Sequence, residues 1–195
     1  SGGTIYTLNT DGSGFNFLRQ LTNATGGAPL SGMTLGSDGY LYGTTFDGGA
    51  SNSGTIFRIG HDGNGFTIIT NLAFGQGCAA TVAEAADGNL YGTTQLGGYS
   101  GDGTIFKLAK SGDGFSTIKS LSTSGGDGQS GYAGLLVASD GALYGNTRLG
   151  GERGVGQAVA HHLENLFRAR ADDAHEIGAR HDVGRLVLVV DGGDR

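Results

Sequence analysis

The chain has 195 residues, of which 41 are glycine and one is proline, with 15% charged and 37% hydrophobic residues. Average proteins contain about 7% glycine. The excess excludes a mainly helical protein, because each glycine inside a helix costs roughly 1 kcal/mol relative to alanine. The net charge of −6 argues against binding to nucleic acid or an anionic membrane. No segment has the roughly 18 consecutive apolar residues of a membrane span, and the single Cys78 excludes an internal disulfide.

Four sequence blocks recur three times in constant order. The block Asp-Gly-Tyr-Leu-Tyr-Gly-Thr-Thr begins at Asp38 and returns, slightly varied, at Asp87 and Asp140, at intervals of 49 and 53 residues. The other blocks are a Gly-Thr-Ile-aromatic segment, a glycine-rich turn followed by Phe, and a pair of glycines. A period of about 50 residues is typical of propeller and solenoid repeats. We therefore predict three tandem units, at about residues 1–53, 54–102 and 103–151.

Each unit contains four runs of β-forming residues separated by turn residues. In the middle unit these runs are residues 55–59, 66–72, 81–86 and 89–94. The Asp-Gly pairs between runs are a strong hairpin signal, because Gly accepts a positive φ and Asp hydrogen-bonds its own backbone. Successive strands should then pair antiparallel, which predicts an all-β protein with one four-stranded sheet in each unit. Ile56 alternates with Phe57 along the first strand, so both faces should pack against neighbouring sheets.

A four-stranded antiparallel sheet of this length, repeated head to tail, is the blade of a β-propeller, which usually has roughly 4 to 8 blades. We therefore predict a partial propeller of about three blades. Three units do not close such a ring. The chain is then a fragment of a longer propeller, or several copies associate, or the three sheets stack as an open array.

The segment Asp-Gly-Asn-Leu-Tyr-Gly-Thr-Thr with its following Gly-Gly and Gly-Thr-Ile-Phe-Lys-Leu (residues 87–108) resembles the GloVer tandem repeat. This is a family of bacterial extracellular, often surface-anchored proteins, and the resemblance covers about residues 1–151. It implies a propeller-like, secreted, non-enzymatic protein, and it supplies no catalytic residues. The Asp-Gly-x-Leu-Tyr turn also resembles the hairpin of six-bladed propellers of the NHL and lactonase type. One departure is Asn146, where the other units have Thr44 and Thr93.

Residues 152–195 depart from the repeat pattern. No fourth Gly-Thr-Ile-Phe follows Gly151, and seven of the nine arginines and four of the five histidines lie beyond Thr147. One interpretation is a helix at about residues 157–177 followed by a strand at residues 186–190. The other is that the reading frame is lost near Gly156, so that the tail was never selected to pack. The sequence leaves both open.

The recurring Asp-Gly pairs are interpreted as structural turns, at Asp38-Gly39, Asp87-Gly88 and Asp140-Gly141. The second type of turn, Asp-Gly-x-Gly-Phe, offers carboxylate and carbonyl oxygens, which suit calcium. It lacks the further acidic positions of known calcium loops, and turn chemistry alone explains its residues. The tail histidines do not complete a His-Glu-x-x-His zinc motif. They are His161, His162, His175 and His181. We therefore expect no cofactor and no metal site.

Few acidic residues lie outside the recurring turns of the repeats. They are Asp47, Glu84, Asp102 and Asp127. A glycosidase needs two converging carboxylates, and the sequence indicates no such pair, so we expect no catalytic residues.

Tyr42, Tyr91 and Tyr144 recur at one position of the repeat. They are interpreted as core residues with the hydroxyl at the sheet edge, or as an aromatic ring that forms a binding surface. We expect a non-catalytic module of a secreted or cell-surface bacterial protein, for adhesion or as a binding scaffold. The alternative is a fragment of a propeller enzyme acting on glycans or lactones. The expected partners are a glycan or protein ligand and further repeats of the same chain, without nucleic acid or membrane insertion.

Overall fold

The computed structural model describes residues 2–73, 76–150 and 158–161. These residues form thirteen β-strands and no helix, which confirms the all-β prediction. The strands are β1 (Thr4–Thr7), β2 (Asn16–Gln20), β3 (Thr34–Leu35), β4 (Leu41–Thr44), β5 (Thr55–Ile59), β6 (Thr67–Asn71), β7 (Ala83–Glu84), β8 (Asn89–Thr94), β9 (Thr104–Ala109), β10 (Ser116–Ser120), β11 (Leu136–Val137), β12 (Leu143–Asn146) and β13 (Ala158–His161).

Hydrogen bonds join these strands into four antiparallel sheets. Sheet I contains β1 and β2, sheet II runs β3-β4-β5-β6, sheet III runs β7-β8-β9-β10, and sheet IV runs β11-β12-β13. Sheets II and III have the four strands predicted for a blade, whereas the described parts of sheets I and IV have two and three strands. This series of small open sheets fits the predicted partial propeller.

Sheets II and III each take their strands from two successive sequence units. Sheet II combines β3 and β4, which lie in residues 1–53, with β5 and β6 of the next unit. The prediction that successive strands pair is wrong where the chain passes to the next sheet, which happens between β2 and β3, between β6 and β7 and between β10 and β11. Six residue pairs join β8 to β9, whereas β7 contributes only two residues and pairs with β8. The six-pair ladder between β8 and β9 satisfies more backbone hydrogen-bonding groups than the two-residue β7 can offer to β6. Strands β8 and β9 therefore share a sheet, and β6 and β7 do not.

The two faces of an inner sheet pack on different neighbours, as the alternation of apolar residues predicts. Phe57 and Ile59 of sheet II lie in one cluster with Ile5 and Leu21 of sheet I. Ile56 points to the opposite side. It belongs to a second cluster between sheets II and III, with Tyr42, Leu72, Cys78, Val82, Leu90, Phe106 and Leu108. A third cluster joins sheets III and IV through Ala85, Tyr91 and Leu143.

Strand β13 lies where the sequence predicts the start of a helix. It pairs with β12 from Leu143↔His161 to Asn146↔Ala158, and it holds the place in sheet IV that β5 and β9 hold in their sheets. The helix prediction is therefore wrong for these four residues, because pairing with β12 satisfies their backbone groups. The rest of the predicted helix, the predicted strand at residues 186–190, and His162, His175 and His181 lie outside the described residues.

Candidate functional site

One hydrogen-bonded unit recurs at the Asp-Gly turns of all three repeats. The hydroxyl of each repeated tyrosine donates to the Oδ2 atom of the aspartate four residues earlier. The distances are 2.7 Å for Tyr42 and Asp38, 2.9 Å for Tyr91 and Asp87, and 2.8 Å for Tyr144 and Asp140. The Oδ1 atom of each aspartate accepts the backbone N–H two residues later. A single carboxylate thus ties the turn to the strand that follows it.

The glycine of each Asp-Gly pair has the left-handed conformation that a tight turn requires. Gly39, Gly88 and Gly141 have φ values of 83°, 76° and 81°. Each donates its backbone N–H to the carbonyl three residues earlier, at 2.9–3.0 Å. A side chain at such a φ is strained. The six residues of the Asp-Gly pairs therefore form turns.

Two of the three repeated tyrosines lie in the protein interior rather than on a ligand-binding surface. Tyr42 and Tyr91 are fully buried, in the clusters that join sheet II to III and sheet III to IV. Tyr144, on the last sheet, is 37% exposed. The interpretation of the three tyrosines as one binding surface is therefore corrected for Tyr42 and Tyr91, because neither ring has surface available for a ligand.

The turn of sheet III carries an ion pair in addition to the Tyr–Asp hydrogen bond. Lys107, directly opposite Tyr91 in the ladder, places its Nζ atom 2.9 Å from Oδ2 of Asp87. Burial alone would raise the pKa of the Asp87 carboxyl, but hydrogen bonds from Lys107, Asn89 and Tyr91 outweigh it and lower this pKa to about 2. Burial and the bond to Asp87 raise the pKa of Tyr91. Asp87 is therefore a fixed anion at neutral pH.

A second polar cluster joins sheets II and III, and sequence analysis did not find it. The Nζ atom of Lys110 lies 2.5 Å from Oε1 of Glu84 and 3.7 Å from Oδ1 of Asp38. Ser37 donates its backbone N–H and its hydroxyl to the Glu84 carboxylate, at 2.8 and 2.6 Å. The preceding repeat has Leu35 and His61 at the positions of Glu84 and Lys110, so this repeat gains two residues of opposite charge. This paired departure from the repeat was the available signal.

The acidic residues considered as catalytic candidates make contacts within the scaffold. The Oδ2 atom of Asp102 accepts the backbone N–H and the hydroxyl of Thr123, at 2.8 and 3.0 Å. Asp127 lies 3.0 Å from the Nζ atom of Lys119, and Glu84 belongs to the cluster at Lys110. Together these contacts give Glu84, Asp102 and Asp127 a structural role.

The Asp-Gly-x-Gly-Phe turns use their side chains for local hydrogen bonds. Oδ1 of Asp11 accepts the backbone N–H of Ser13, and Oδ1 of Asp62 accepts that of Asn64, both at 2.9 Å. In the part of the chain that the structure describes, no three His, Cys, Asp or Glu side chains group together as metal ligands. That part also has no helix long and apolar enough to cross a membrane.

Two exposed surfaces stand out among the described residues, and sequence analysis identified neither. The first is the outer face of sheet I, where Tyr6 and Phe15 stack at 5.3 Å between ring centroids beside Leu8 and Phe17. The second is a shallow groove next to the fully exposed Tyr99, between the loop at residues 95–103 and strand β10. Its lining residues are Gly98, Tyr99, Thr117, Ile118, Lys119 and Ser120. An exposed tyrosine or phenylalanine is a frequent ligand-contacting group.

The sequence matches the profile of the Gloeobacter/Verrucomicrobia repeat over residues 1–168. The match runs beyond residue 151, the limit that the recurring blocks suggest, and it includes strand β13. No curated protein matches the chain. The profile covers most of the sequence, and the chain therefore belongs to the Gloeobacter/Verrucomicrobia repeat family.

Proposed function

We propose that the chain is a non-catalytic repeat module of a secreted or cell-surface bacterial protein, whose sheets are the blades of a partial propeller. Its task is to hold a ligand-binding surface, for adhesion or for capture of a glycan or protein. The observation that carries the proposal is the recurring Tyr–Asp–Gly turn, in which the repeated polar groups hydrogen-bond one another within the turn.

The structural use of the acidic residues supports a role without catalysis. A glycoside hydrolase needs one protonated and one ionised carboxyl group facing the substrate. Asp87 has its pKa lowered by its hydrogen-bond donors, and the Glu84 carboxylate bonds to Lys110 and Ser37 at a sheet interface. Such groups stabilise the protein as fixed anions and are poor proton donors near neutral pH.

The groove at Tyr99 is the candidate ligand surface. Binding residues of repeat scaffolds are concentrated on loops that a rigid framework positions. The loop between β8 and β9 carries Tyr99 where the corresponding loop between β4 and β5 carries Ala50. The ring stands in solvent beside Ile118 and Lys119. The aromatic ring of Tyr99, next to a strand that carries both apolar and polar side chains, suits the apolar face of a sugar ring or a peptide side chain.

A binding screen with paired variants tests this proposal. The purified chain is applied to immobilised polysaccharides, bacterial envelope glycans and matrix proteins, alongside Tyr99→Ala and Tyr99→Phe. We expect Tyr99→Ala to lose about tenfold or more in affinity, as for an aromatic residue at a binding hot spot. Tyr99→Phe keeps the ring and should retain most of the affinity. If Tyr99→Ala binds as tightly as Tyr99→Phe, the groove at Tyr99 is not the ligand surface.

The competing enzymatic function is examined in the same preparation. Chromogenic glycosides and lactones are incubated with the wild-type chain and with Glu84→Gln. Hydrolysis that Glu84→Gln abolishes while the variant remains folded would overturn the non-catalytic proposal. We expect no turnover above that of the buffer.

A further inference from the structure

We propose that copies of this chain associate head to tail, with the outer face of sheet I of one copy packed on the outer face of sheet IV of the next. The outer face of sheet I is formed by Tyr6, Leu8, Phe15 and Phe17. The outer face of sheet IV is formed by Leu136 and Tyr144, which lie directly opposite each other in the β11–β12 ladder. This assembly goes beyond the proposed binding function and does not depend on it.

The inner interfaces all join the same two kinds of sheet face. The face that carries Phe57 in sheet II packs on sheet I, and the corresponding face of sheet III, with Phe106, packs on sheet II. The opposite face, which carries the repeated tyrosine, packs on the following sheet for both Tyr42 and Tyr91. Sheets I and II, and sheets II and III, thus meet through a phenylalanine face packed on the back of the preceding sheet, and at the interface of sheets III and IV Leu143 packs against the tyrosine face of sheet III.

The outer face of sheet I is a phenylalanine-type face without a described neighbour. Tyr6 occupies the repeat position of Phe57, and Phe15 occupies that of Phe66. Phe57 is 2% exposed, whereas Tyr6 is 58% exposed. Both aromatic pairs have centroids 5.3 Å apart, so the ring pair of sheet I has the spacing of the Phe57–Phe66 pair, which packs on sheet I. Large contiguous apolar surfaces of this kind mark interaction sites.

The outer face of sheet IV is a tyrosine-type face that is open to solvent. Tyr144 is 37% exposed, although Tyr42 and Tyr91 at the same repeat position are fully buried. Opposite Tyr144 lies Leu136, which is 65% exposed, where the inner sheets have Thr34 and Ala83. A leucine at this place enlarges the apolar surface that a partner can cover. Burial of its side chain would stabilise the assembly about as much as burial of any leucine side chain stabilises a protein.

The two open faces are therefore of the two kinds that meet inside the chain. Contact between them continues the established series of sheet interfaces, and it makes the assembly heterologous rather than symmetric. Each copy can then bind one neighbour on each side, which produces rings or open chains of copies. A symmetric dimer through one face alone would instead join two phenylalanine faces or two tyrosine faces, which no described interface does.

Two variants that each block one face test the proposal. Phe17→Lys places a charge on the outer face of sheet I, and Leu136→Lys places one on the outer face of sheet IV. Both side chains are exposed, so the variants should fold, which circular dichroism checks. The control is Leu96→Lys, an exposed leucine elsewhere with the same change in charge. Association is measured by sedimentation velocity over a wide range of concentrations.

We expect the wild-type chain and Leu96→Lys to form dimers and larger species as the concentration rises. Phe17→Lys alone and Leu136→Lys alone should each weaken association by about tenfold or more, as loss of a central apolar contact does. An equimolar mixture of these two variants should form dimers and nothing larger, because each supplies the face that the other lacks.

Three results would overturn the proposal. The first is a wild-type chain that remains monomeric at all concentrations. The second is Leu136→Lys that still associates as strongly as the wild type, which would show symmetric pairing through sheet I. The third is a mixture of the two variants that associates no more than either variant alone.

Discussion

Gly92 lies directly opposite Phe106 in the β8–β9 ladder, and a Cβ atom on Gly92 would come 2.5 Å from Cζ of that ring. Gly43 and Phe57 form the same pair in sheet II. The ring covers the glycine and fills the space that a side chain would take. This pairing explains why Leu-Tyr-Gly-Thr and Gly-Thr-Ile-Phe recur together in the sequence.

Replacement of Gly92 by alanine tests this pairing. The ring of Phe106 is held in a buried cluster, so it cannot move aside freely. We expect Gly92→Ala to lower the free energy of unfolding by about 1–3 kcal/mol, the usual cost of overpacking a core. Urea unfolding followed by circular dichroism measures it.

Gly32→Ala is the matched control for Gly92→Ala. Neither glycine has a positive φ, and a Cβ on Gly32 would meet no atom within 4 Å. The control should be neutral or stabilising by up to roughly 1 kcal/mol, because alanine restricts the unfolded chain. Equal destabilisation by both substitutions would show that the ring of Phe106 does not set the cost.

The Asp-Gly turns give a second prediction, based on backbone strain rather than on space. Gly88 has a φ of 76°, and a Cβ there would meet no atom within 4 Å. We expect Gly88→Ala to cost roughly 1–2 kcal/mol, the penalty of a left-handed conformation for an L-residue. Gly88→Asn should cost less, because asparagine tolerates this region. Thermal unfolding of both variants decides it, and an alanine variant as stable as wild type would contradict the strain argument.

The lowered pKa of Asp87 makes the stability of the chain depend on pH in the acid range. A carboxyl whose pKa is lower in the folded than in the unfolded state stabilises the protein above the unfolded value. This contribution is present above about pH 4 and is lost as the pH falls towards 2, where folded Asp87 takes up a proton. One pKa unit corresponds to about 1.4 kcal/mol, so the contribution is about 2 kcal/mol.

Asp87→Asn should therefore be less stable than wild type at neutral pH and should lose part of the fall in stability between pH 4 and pH 2. Asp113→Asn removes a carboxylate from an exposed turn of the same sheet and controls for the loss of one negative charge. Urea unfolding at a series of pH values measures both. An unchanged acid dependence in Asp87→Asn would contradict the role of Asp87.

The contact between Glu84 and Lys110, which lie on β7 and at the end of β9, predicts an energetic coupling within sheet III. Both side chains are largely shielded from water, and the Nζ and Oε1 atoms are 2.5 Å apart. We expect a double-mutant cycle with Glu84→Gln and Lys110→Met to give a coupling of about 1–3 kcal/mol, above that of an exposed ion pair. A cycle on Lys119 and Asp127, whose side chains are more exposed to water, is the comparison. A coupling near zero would show that the contact between Glu84 and Lys110 does not stabilise the protein.

Sequence analysis predicted the structural features that depend only on residues close together in the chain. Asp87 and Gly88 form a turn through bonds that span four residues or fewer, so the local sequence suffices. The alternation of Ile56 with Phe57 also predicts two buried faces without knowledge of their neighbours. The family resemblance rests on these local patterns and was confirmed.

The grouping of strands into sheets was not predictable in the same way. The connections β6–β7 and β8–β9 both join strands adjacent in the chain, and only the ladder that forms across the second distinguishes them. The contact of Glu84 with Ser37 and the exposure of Tyr6 likewise depend on which sheets meet. A repeat pattern alone does not contain that information. Residues at equivalent positions of the repeat have different surroundings, depending on whether their sheet face lies at an interface or is open.

The pairing of strands across the unit boundary is the central structural claim, and backbone nuclear Overhauser effects measure it directly. We expect cross-strand effects between residues 41–44 and 56–59 and between residues 89–94 and 104–109, in the antiparallel registers Gly43↔Phe57 and Gly92↔Phe106. Cross-strand effects between residues 67–71 and 83–84, with none in the two predicted ladders, would contradict it, because they would place the four strands of each sequence unit in a single sheet.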